Sequence, residues 1–138
     1  MIDTNVLVSG VLDPHSSPGR IVDGALSRNL NVLHDDRILS EYREVLTRPL
    51  FGFEPVAIDT LLDFLELNGE HISVKDTRIV LPDPSDLPFL EVAIAGNADA
   101  LITGNLKHFK PRRGTCNAHV CTPGEFVKRL LSQGSAFS

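Results

Sequence analysis

The stretch LPDPSDLPFLEVA, residues 81–93, joins a proline-rich loop to an apolar run. Each proline fixes its own φ and biases the preceding residue away from the helical region. A helix is therefore predicted to begin near Pro88, a residue type favoured in the first turn, and to run to about Ala95. Asp83 and Asp86 then lie at or just ahead of its N-terminus, where the helix dipole favours negative charge.

Two roles are open for each of these carboxylates. Asp86 suits either a helix cap or a metal ligand, because Asp is a standard capping residue. Asp83 suits either an Asp-Pro turn or a metal ligand. The choice depends on whether the rest of the chain brings other carboxylates to the same place.

The composition is that of one globular domain. The chain has 138 residues, of which 42% are hydrophobic and 22% charged, enough to build a sizeable core. We predict a domain over residues 1–132 and a flexible tail over 133–138. The net charge of −5 argues against nucleic-acid binding through bulk positive charge, but it is compatible with a nuclease whose metal-holding acids are negative.

The sequence predicts a cytoplasmic protein without a membrane segment. No apolar run approaches the ~20 residues needed to cross a bilayer, and no basic region followed by an apolar stretch marks an export signal. Cys116 and Cys121 make no disulfide framework. The first predicted strand is shorter than the usual ~5–6 residues, so we expect the start of the chain to be trimmed.

Short β-branched runs alternate with helical patterns, which predicts βαβ units, a parallel sheet and a three-layer α/β domain. Ser17 is predicted to cap the first helix, and Asp35 or Asp36 the second. Predicted strands cover about 1–3, 31–34, 71–74, 100–103 and 119–121. Predicted helices cover about 18–28, 36–48, 55–67, 88–95 and 123–131.

Polar side chains follow several of these predicted strands. Asp3 lies at the carboxyl end of the first strand and Asn105 just past the strand at 100–103. The loop carrying Asp83 and Asp86 precedes a helix that starts on the same side of the sheet. Ligands of open α/β sheets bind at the carboxyl ends of the strands, so we expect these groups to converge.

The second helix offers a further acid. Its apolar stripe consists of Ile38, Leu39, Tyr42, Val45 and Leu46. At 100° per residue, Glu41 lies at the margin of this stripe, whereas Glu44 points to solvent and is placed to pair with Arg48 four residues later. A carboxylate at a core margin is costly unless it is paired or binds a cation, so Glu41 is the better candidate ligand.

The candidate ligands are all oxygen donors, which suits Mg²⁺ or Mn²⁺. Carboxylates packed together repel one another without a cation, and such a cation can activate water and stabilise charge on a phosphodiester. The candidate metal site consists of Asp3, Glu41, Asp83, Asp86 and Asn105.

These residues resemble the PIN domain, the nuclease fold of VapC-type toxins in prokaryotic toxin–antitoxin pairs. The forms Asp-Pro-x-Asp-x-Pro-Phe-Leu at 83–90 and Thr-Gly-Asn-x-x-His-Phe at 103–109 resemble a subgroup labelled as toxin components. The resemblance extends from Ile2 to about Leu131. Its other marks are Asp3-Thr4-Asn5-Val6-Leu7, Ser40-Glu41-Tyr42, Asp86 seven residues before Ala93, and Leu101-Ile102-Thr103-Gly104-Asn105.

The resemblance implies a parallel sheet of about five strands in the order 3-2-1-4-5, with helices on both faces. It implies Mg²⁺- or Mn²⁺-dependent RNA cleavage by a homodimer held by an antitoxin. Asp3, Glu41 and Asp86 would be the core metal ligands. The family's fourth acid is here the amide Asn105, whose carbonyl oxygen can bind a metal but carries no charge, and Asp83 is available to compensate.

Three further residues are expected from the resemblance to hydrogen-bond the acids: Thr4, Asn5 and Thr103. A basic segment after Asn105 is either a phosphate contact for RNA or a solvated loop. It contains Lys107, His108, Lys110, Arg112 and Arg113. Cys116, His119 and Cys121 lack a fourth ligand in a standard zinc pattern, so buried cysteines are predicted there.

The sequence thus favours a metal-dependent endoribonuclease acting as a toxin. One alternative is a catalytically weak or inactive PIN fold that binds RNA or a protein, which the amide at Asn105 favours. Another is a different Mg²⁺ phosphotransfer enzyme such as a phosphatase, but Asp3-Thr4-Asn5 lacks the second acid that would favour it. No glycine-rich phosphate loop is present for nucleotide binding.

Overall fold

The computed structural model describes residues 1–75, 79–109 and 119–133. Helices and short strands are interspersed along these ranges, as in an α/β domain, but they do not alternate strictly as predicted, because two helices follow one another in two places. The helices are α1 (Thr4–Leu12), α2 (Ser17–Leu26), α3 (Asp36–Leu46), α4 (Pro55–Asn68), α5 (Leu87–Ala95) and α6 (Pro123–Ser132). The strands are β1 (Leu33–His34), β2 (Glu70–His71), β3 (Leu101–Ile102) and β4 (Val120–Cys121). Single 3₁₀ turns span Pro49–Phe51, Pro84–Asp86 and Leu106–Phe109.

The strands form two parallel pairs, β1 with β2 and β3 with β4. Ile2 forms an isolated parallel bridge with Ile102, in which the Asp3 amide donates to the Ile102 carbonyl at 2.9 Å. In the predicted order 3-2-1-4-5, residues 1–3 are strand 1 and β1 to β4 are strands 2 to 5. The observed pairings of strand 2 with 3, 1 with 4 and 4 with 5 all occur in that order. Within the described ranges, however, residues 1–3 form no backbone hydrogen bond with β1, so a continuous five-stranded sheet is not confirmed.

Helix α1 begins directly at the end of the first strand segment and was not predicted from the sequence. Its residues TNVLVSGVL include three β-branched valines, which lower helix propensity. The helix forms because Asp3 caps its N-terminus and because four of its apolar residues or glycines pack inside the fold: Val6, Leu7, Val8 and Gly10. Burial of this face against α2 and α3 outweighs the propensity of the valines.

The helix caps agree in part with the sequence. Asp35 caps α3, as one of the two alternatives predicted, and Thr122 with Glu125 forms the predicted capping box of α6. The prediction for α2 was wrong by one residue, because Ser16 rather than Ser17 accepts the capping hydrogen bond, from the Gly19 amide at 3.1 Å. Proline is accepted at either of the first two helical positions, so Pro18 does not fix the cap.

Helix α5 lies at the centre of the core, as its apolar sequence predicts, and packs against β1, β3 and α3. Phe89 and Leu90 are buried. Glu91 is also buried, and its carboxylate accepts from Arg37 Nη1 at 2.8 Å. Arg37 contacts the Asp35 carboxylate at 2.8 Å as well, so one guanidinium links the start of α3 to the middle of α5.

Replacing Arg37 by methionine is expected to lower the free energy of unfolding by about 1–3 kcal/mol, because it removes a charge-assisted hydrogen bond to a buried carboxylate. Arg43→Met on the same helix is the matched control. Arg43 pairs with Asp59, and both side chains are about half exposed, so its loss is expected to cost about 1 kcal/mol or less. Urea unfolding measures both, and equal losses would contradict a special role for the Arg37 link.

Several predicted features have a definite place in the structure. Cys121 is buried, as predicted. Within the three described ranges, no helix is both long and apolar enough to cross a bilayer. Cys116, the basic residues Lys110, Arg112 and Arg113, and residues 134–138 of the predicted tail lie outside the described residues.

Candidate active site

Asp3 is buried at the junction between the first strand segment and α1. One carboxylate oxygen, Oδ1, accepts from the Thr4 amide at 2.9 Å and thereby caps the helix. The other, Oδ2, accepts from the hydroxyl of Thr103 at 2.7 Å. Thr103 is fully buried just past β3, so the predicted hydrogen bond from Thr103 to Asp3 is present.

Glu41 lies half-buried on α3 and accepts a hydrogen bond from the Thr4 hydroxyl. Thr4 therefore connects two candidate ligands, since its amide binds Asp3 and its hydroxyl binds Glu41. Glu44 is exposed and contacts Arg48 at 2.9 Å. Glu41 thus lies at the core margin and Glu44 in solvent beside Arg48, as helical periodicity predicts, while the choice of Glu41 as a metal ligand stays a prediction.

The two acids of the proline-rich loop have different roles. Asp83 is exposed and caps the turn Pro84–Asp86, accepting from the Ser85 amide at 3.0 Å and the Ser85 hydroxyl at 2.8 Å. Asp83 is therefore the Asp-Pro turn residue that one of the two predicted alternatives describes. Asp86 occupies the N-cap position of α5, but its side chain makes no capping hydrogen bond, so the carboxylate is not used as a helix cap.

The Asp86 carboxylate instead approaches His108. Its Oδ2 is shielded from solvent and has no hydrogen-bond partner of good geometry within the described ranges. His108 Nδ1 lies 3.3 Å from this oxygen, which is within ion-pair range. Sequence analysis missed this contact, because it joins two loops that are distant in sequence. The sequence signal for this contact was that Asp86 and His108 both lie in the motifs, at 83–90 and 103–109, on which the family resemblance rests.

Asn105 and Asn5 contribute to the same edge mainly by holding the turn after β3. The backbone amide of Asn105 donates to the Thr103 hydroxyl at 3.0 Å, and the Asn105 side chain is exposed. The Asn5 side chain accepts from the Gly104 amide at 3.4 Å. No direct hydrogen bond from Asn5 to an acid appears within the described residues, so its expected role is replaced by one in supporting this turn.

A sequence model of the family described as PIN domain matches residues 1–107. The chain belongs to the PIN domain family. The match includes Asp3, Glu41, Asp86 and Asn105. No curated protein and no solved structure matches the chain significantly.

PIN domains are typically nucleases that use divalent metal ions, and the acids of this PIN domain suit such an ion electrostatically. Burial is the largest cause that raises the pKa of Asp3, Glu41 and Asp86. Each pKa is raised further by another member of the set: Asp3 by Asp86, Glu41 by Asp3, and Asp86 by Glu41. A cation among the three would relieve this mutual repulsion.

The distances between the acidic side chains decide whether they can hold one ion in the described structure. Within the described ranges, no three His, Cys, Asp or Glu side chains are close enough together to hold one ion. The shielded Asp86 Oδ2 and the three mutually repelling carboxylates nevertheless fit a hard cation, because oxygen donors are what Mg²⁺ and Mn²⁺ prefer.

Tyr42 is a further residue near the site whose contact sequence analysis missed. It was assigned only to the apolar stripe of α3, and it is indeed fully buried. Its hydroxyl donates to the Ile2 carbonyl, directly before Asp3. A tyrosine next to the candidate ligand Glu41 was the available signal, since a buried tyrosine hydroxyl needs a partner.

Proposed function

We propose that this PIN domain is a Mg²⁺- or Mn²⁺-dependent endoribonuclease and the toxin component of a toxin–antitoxin pair. The observation that carries the proposal is the pair of carboxylates joined by Thr4, whose backbone amide binds Asp3 and whose hydroxyl binds Glu41, together with the shielded Asp86 carboxylate that is electrostatically coupled to them. Asp3 comes from the strand end, Glu41 from α3 and Asp86 from the start of α5, and each raises the pKa of another. A protein gains nothing in stability from such repulsion, which favours a functional reason for it.

In this proposal Asp3, Glu41 and Asp86 hold the cation, and the exposed Asn105 side chain offers a carbonyl oxygen. When bound, the ion makes a water molecule more acidic and neutralises charge on the phosphodiester. Asp83 adds negative charge nearby, but its Oδ1 already accepts two hydrogen bonds from Ser85. Its part is therefore electrostatic.

The neighbouring residues position the acids. Thr103 and the Thr4 amide together engage both oxygens of Asp3, which fixes the plane of that carboxylate. The Thr4 hydroxyl fixes Glu41. Such supporting hydrogen bonds typically contribute 10–100-fold to metal affinity or activity, roughly.

RNA is held, in this proposal, by the basic segment after β3. Lys107 is exposed on the turn that follows Asn105, where it can reach a phosphate beside the site. Lys110, Arg112 and Arg113 are proposed to extend this contact. The binding is then local and salt-sensitive, in keeping with a chain whose net charge is −5.

The biological setting is proposed from the sequence motifs. The forms at 83–90 and 103–109 resemble toxin components, which supports an antitoxin partner, a homodimer and a cytoplasmic location. A second candidate function is a catalytically weak PIN fold that binds RNA or a protein. The uncharged Asn105 favours it, because one carboxylate fewer weakens the attraction for a second ion.

The test compares Glu41→Gln with Glu44→Gln in RNA cleavage assays containing Mg²⁺ or Mn²⁺. Glu41→Gln is expected to lower the cleavage rate about 10²–10³-fold. The bound cation contributes several kcal/mol of stabilisation, and only part of it is lost because Asp3 and Asp86 still hold the ion. Glu44→Gln, one turn away and paired only with Arg48 in the described structure, is expected to cleave at nearly the wild-type rate.

Two outcomes would contradict the proposal. Equal rates for both variants would show that Glu41 does not hold the cation. The absence of cleavage by the wild-type chain with either ion, on a panel of structured and unstructured RNAs, would favour the binding-only function.

A further inference from the structure

His108 is held on a turn that is fixed at both ends. Thr103 is fully buried at the start of this turn, and Phe109 is buried at its end. Between them, the His108 amide donates to the Asn105 carbonyl at 3.0 Å. The imidazole is 43% exposed, so the turn presents it at the surface rather than in the core.

Asp86 is the acid that faces this imidazole. Its side chain makes no capping bond to α5, and its Oδ2 is shielded from water. A shielded carboxylate oxygen is costly unless a donor reaches it. His108 Nδ1, at 3.3 Å, is placed to be that donor, although the ring is not yet aligned for a hydrogen bond and has to turn toward Oδ2.

We infer that His108 is a positioning residue for Asp86: its Nδ1–H donates to Oδ2 and leaves the second carboxylate oxygen available to the cation. This inference rests on the proposed function, since it assumes that Asp86 is a metal ligand. Carboxylates that bind metals are commonly held by a hydrogen bond from a neighbouring group. The contact also gives the turn after β3 a function that does not depend on the side chain of Asn105.

The inference differs from the prediction that His108 contacts RNA phosphates. A phosphate contact would leave metal binding unchanged when the imidazole is removed. A positioning role requires that metal affinity change and that the change depend on where the replacement places its donor. Asparagine and glutamine separate these cases, because the Asn Nδ2 lies as many bonds from the backbone as His Nδ1, whereas the Gln Nε2 lies one bond further.

The experiment measures Mn²⁺ affinity of the whole chain by titration calorimetry, without RNA. His108→Ala is expected to weaken binding about 10–100-fold. His108→Asn is expected to restore most of the affinity and His108→Gln little of it. His15→Ala is the matched control, because His15 is exposed in the loop between α1 and α2 and is expected to leave the affinity unchanged.

Wild-type affinity in His108→Ala, or equal affinities in the Asn and Gln variants, would overturn the inference. So would a wild-type chain that does not bind Mn²⁺. If the alanine variant does not fold, the Asn and Gln comparison decides. A wild-type chain that binds Mn²⁺ with the expected variant pattern but does not cleave RNA would overturn the nuclease proposal and leave this inference standing.

Discussion

On the proposed nuclease function, Asp3→Asn is expected to lower RNA cleavage about 10³-fold, because the cation would lose its most buried proposed ligand and with it several kcal/mol of charge stabilisation. The amide keeps the size of the side chain and can still cap α1 through its carbonyl oxygen. Folding is therefore expected to survive while catalysis does not. Cleavage of a labelled RNA with enzyme in excess measures the rate, with Mn²⁺ present.

The stability of the same variant gives an independent readout. Burial raises the pKa of Asp3 in the folded chain, so the unfolded chain ionises more readily. The charge therefore opposes folding at neutral pH, and this cost grows as the pH rises past the pKa of the unfolded chain. In a chelator, Asp3→Asn is expected to melt at or above the wild-type temperature, whereas added Mn²⁺ is expected to stabilise only the wild type.

Asp23→Asn is the matched control, since Asp23 is exposed on α2 and far in sequence from the candidate ligands. It is expected to change neither cleavage nor the response to Mn²⁺. An Asp3→Asn variant that cleaves RNA at the wild-type rate would remove Asp3 from the site. One that melts well below the wild type in chelator would assign Asp3 a structural role instead.

Leu90→Ala is expected to lower the free energy of unfolding by about 2–5 kcal/mol, which makes it the most destabilising single change considered for the core. Leu90 is fully buried on α5, and α5 packs against both strand pairs through β1 and β3. A cavity there loses contacts on several sides, because the surroundings relax only partly. The melting temperature is expected to fall by at least about 6 °C.

Leu67→Ala provides the comparison in a second helix. Leu67 is 83% exposed near the end of α4, so its truncation creates no cavity and is expected to change stability by about 0.5 kcal/mol or less. Thermal and urea unfolding measure both variants. A small effect of Leu90→Ala would contradict the central position of α5 in the core.

Features set by local chemistry could be predicted from the sequence. Periodicity placed Glu41 at the core margin of α3 and Glu44 in solvent, beside Arg48. Proline chemistry placed the start of α5 within one residue, at Leu87 rather than Pro88. These succeeded because the deciding interactions lie within a few residues of each other.

Features set by tertiary contacts could not be predicted. Helix α1 forms despite its valines because the fold buries them, which overrides local propensity. The contact between Asp86 and His108 joins segments that only packing brings together. The use of Asp86 remained open in the sequence, because a cap and a ligand look alike until the missing capping bond is seen.

The hydroxyl of Tyr42 has a consequence for how the candidate site is built. Tyr42 binds the carbonyl of Ile2, and the adjacent Glu41 binds the hydroxyl of Thr4. These two hydrogen bonds involve the residues before and after Asp3. They therefore tie the strand end to α3 and hold the carboxylates of Asp3 and Glu41 in a fixed relation. Asp86 depends on the same helix by another route, because Arg37 and Glu91 tie α3 to α5, so α3 is the common support of all three candidate ligands.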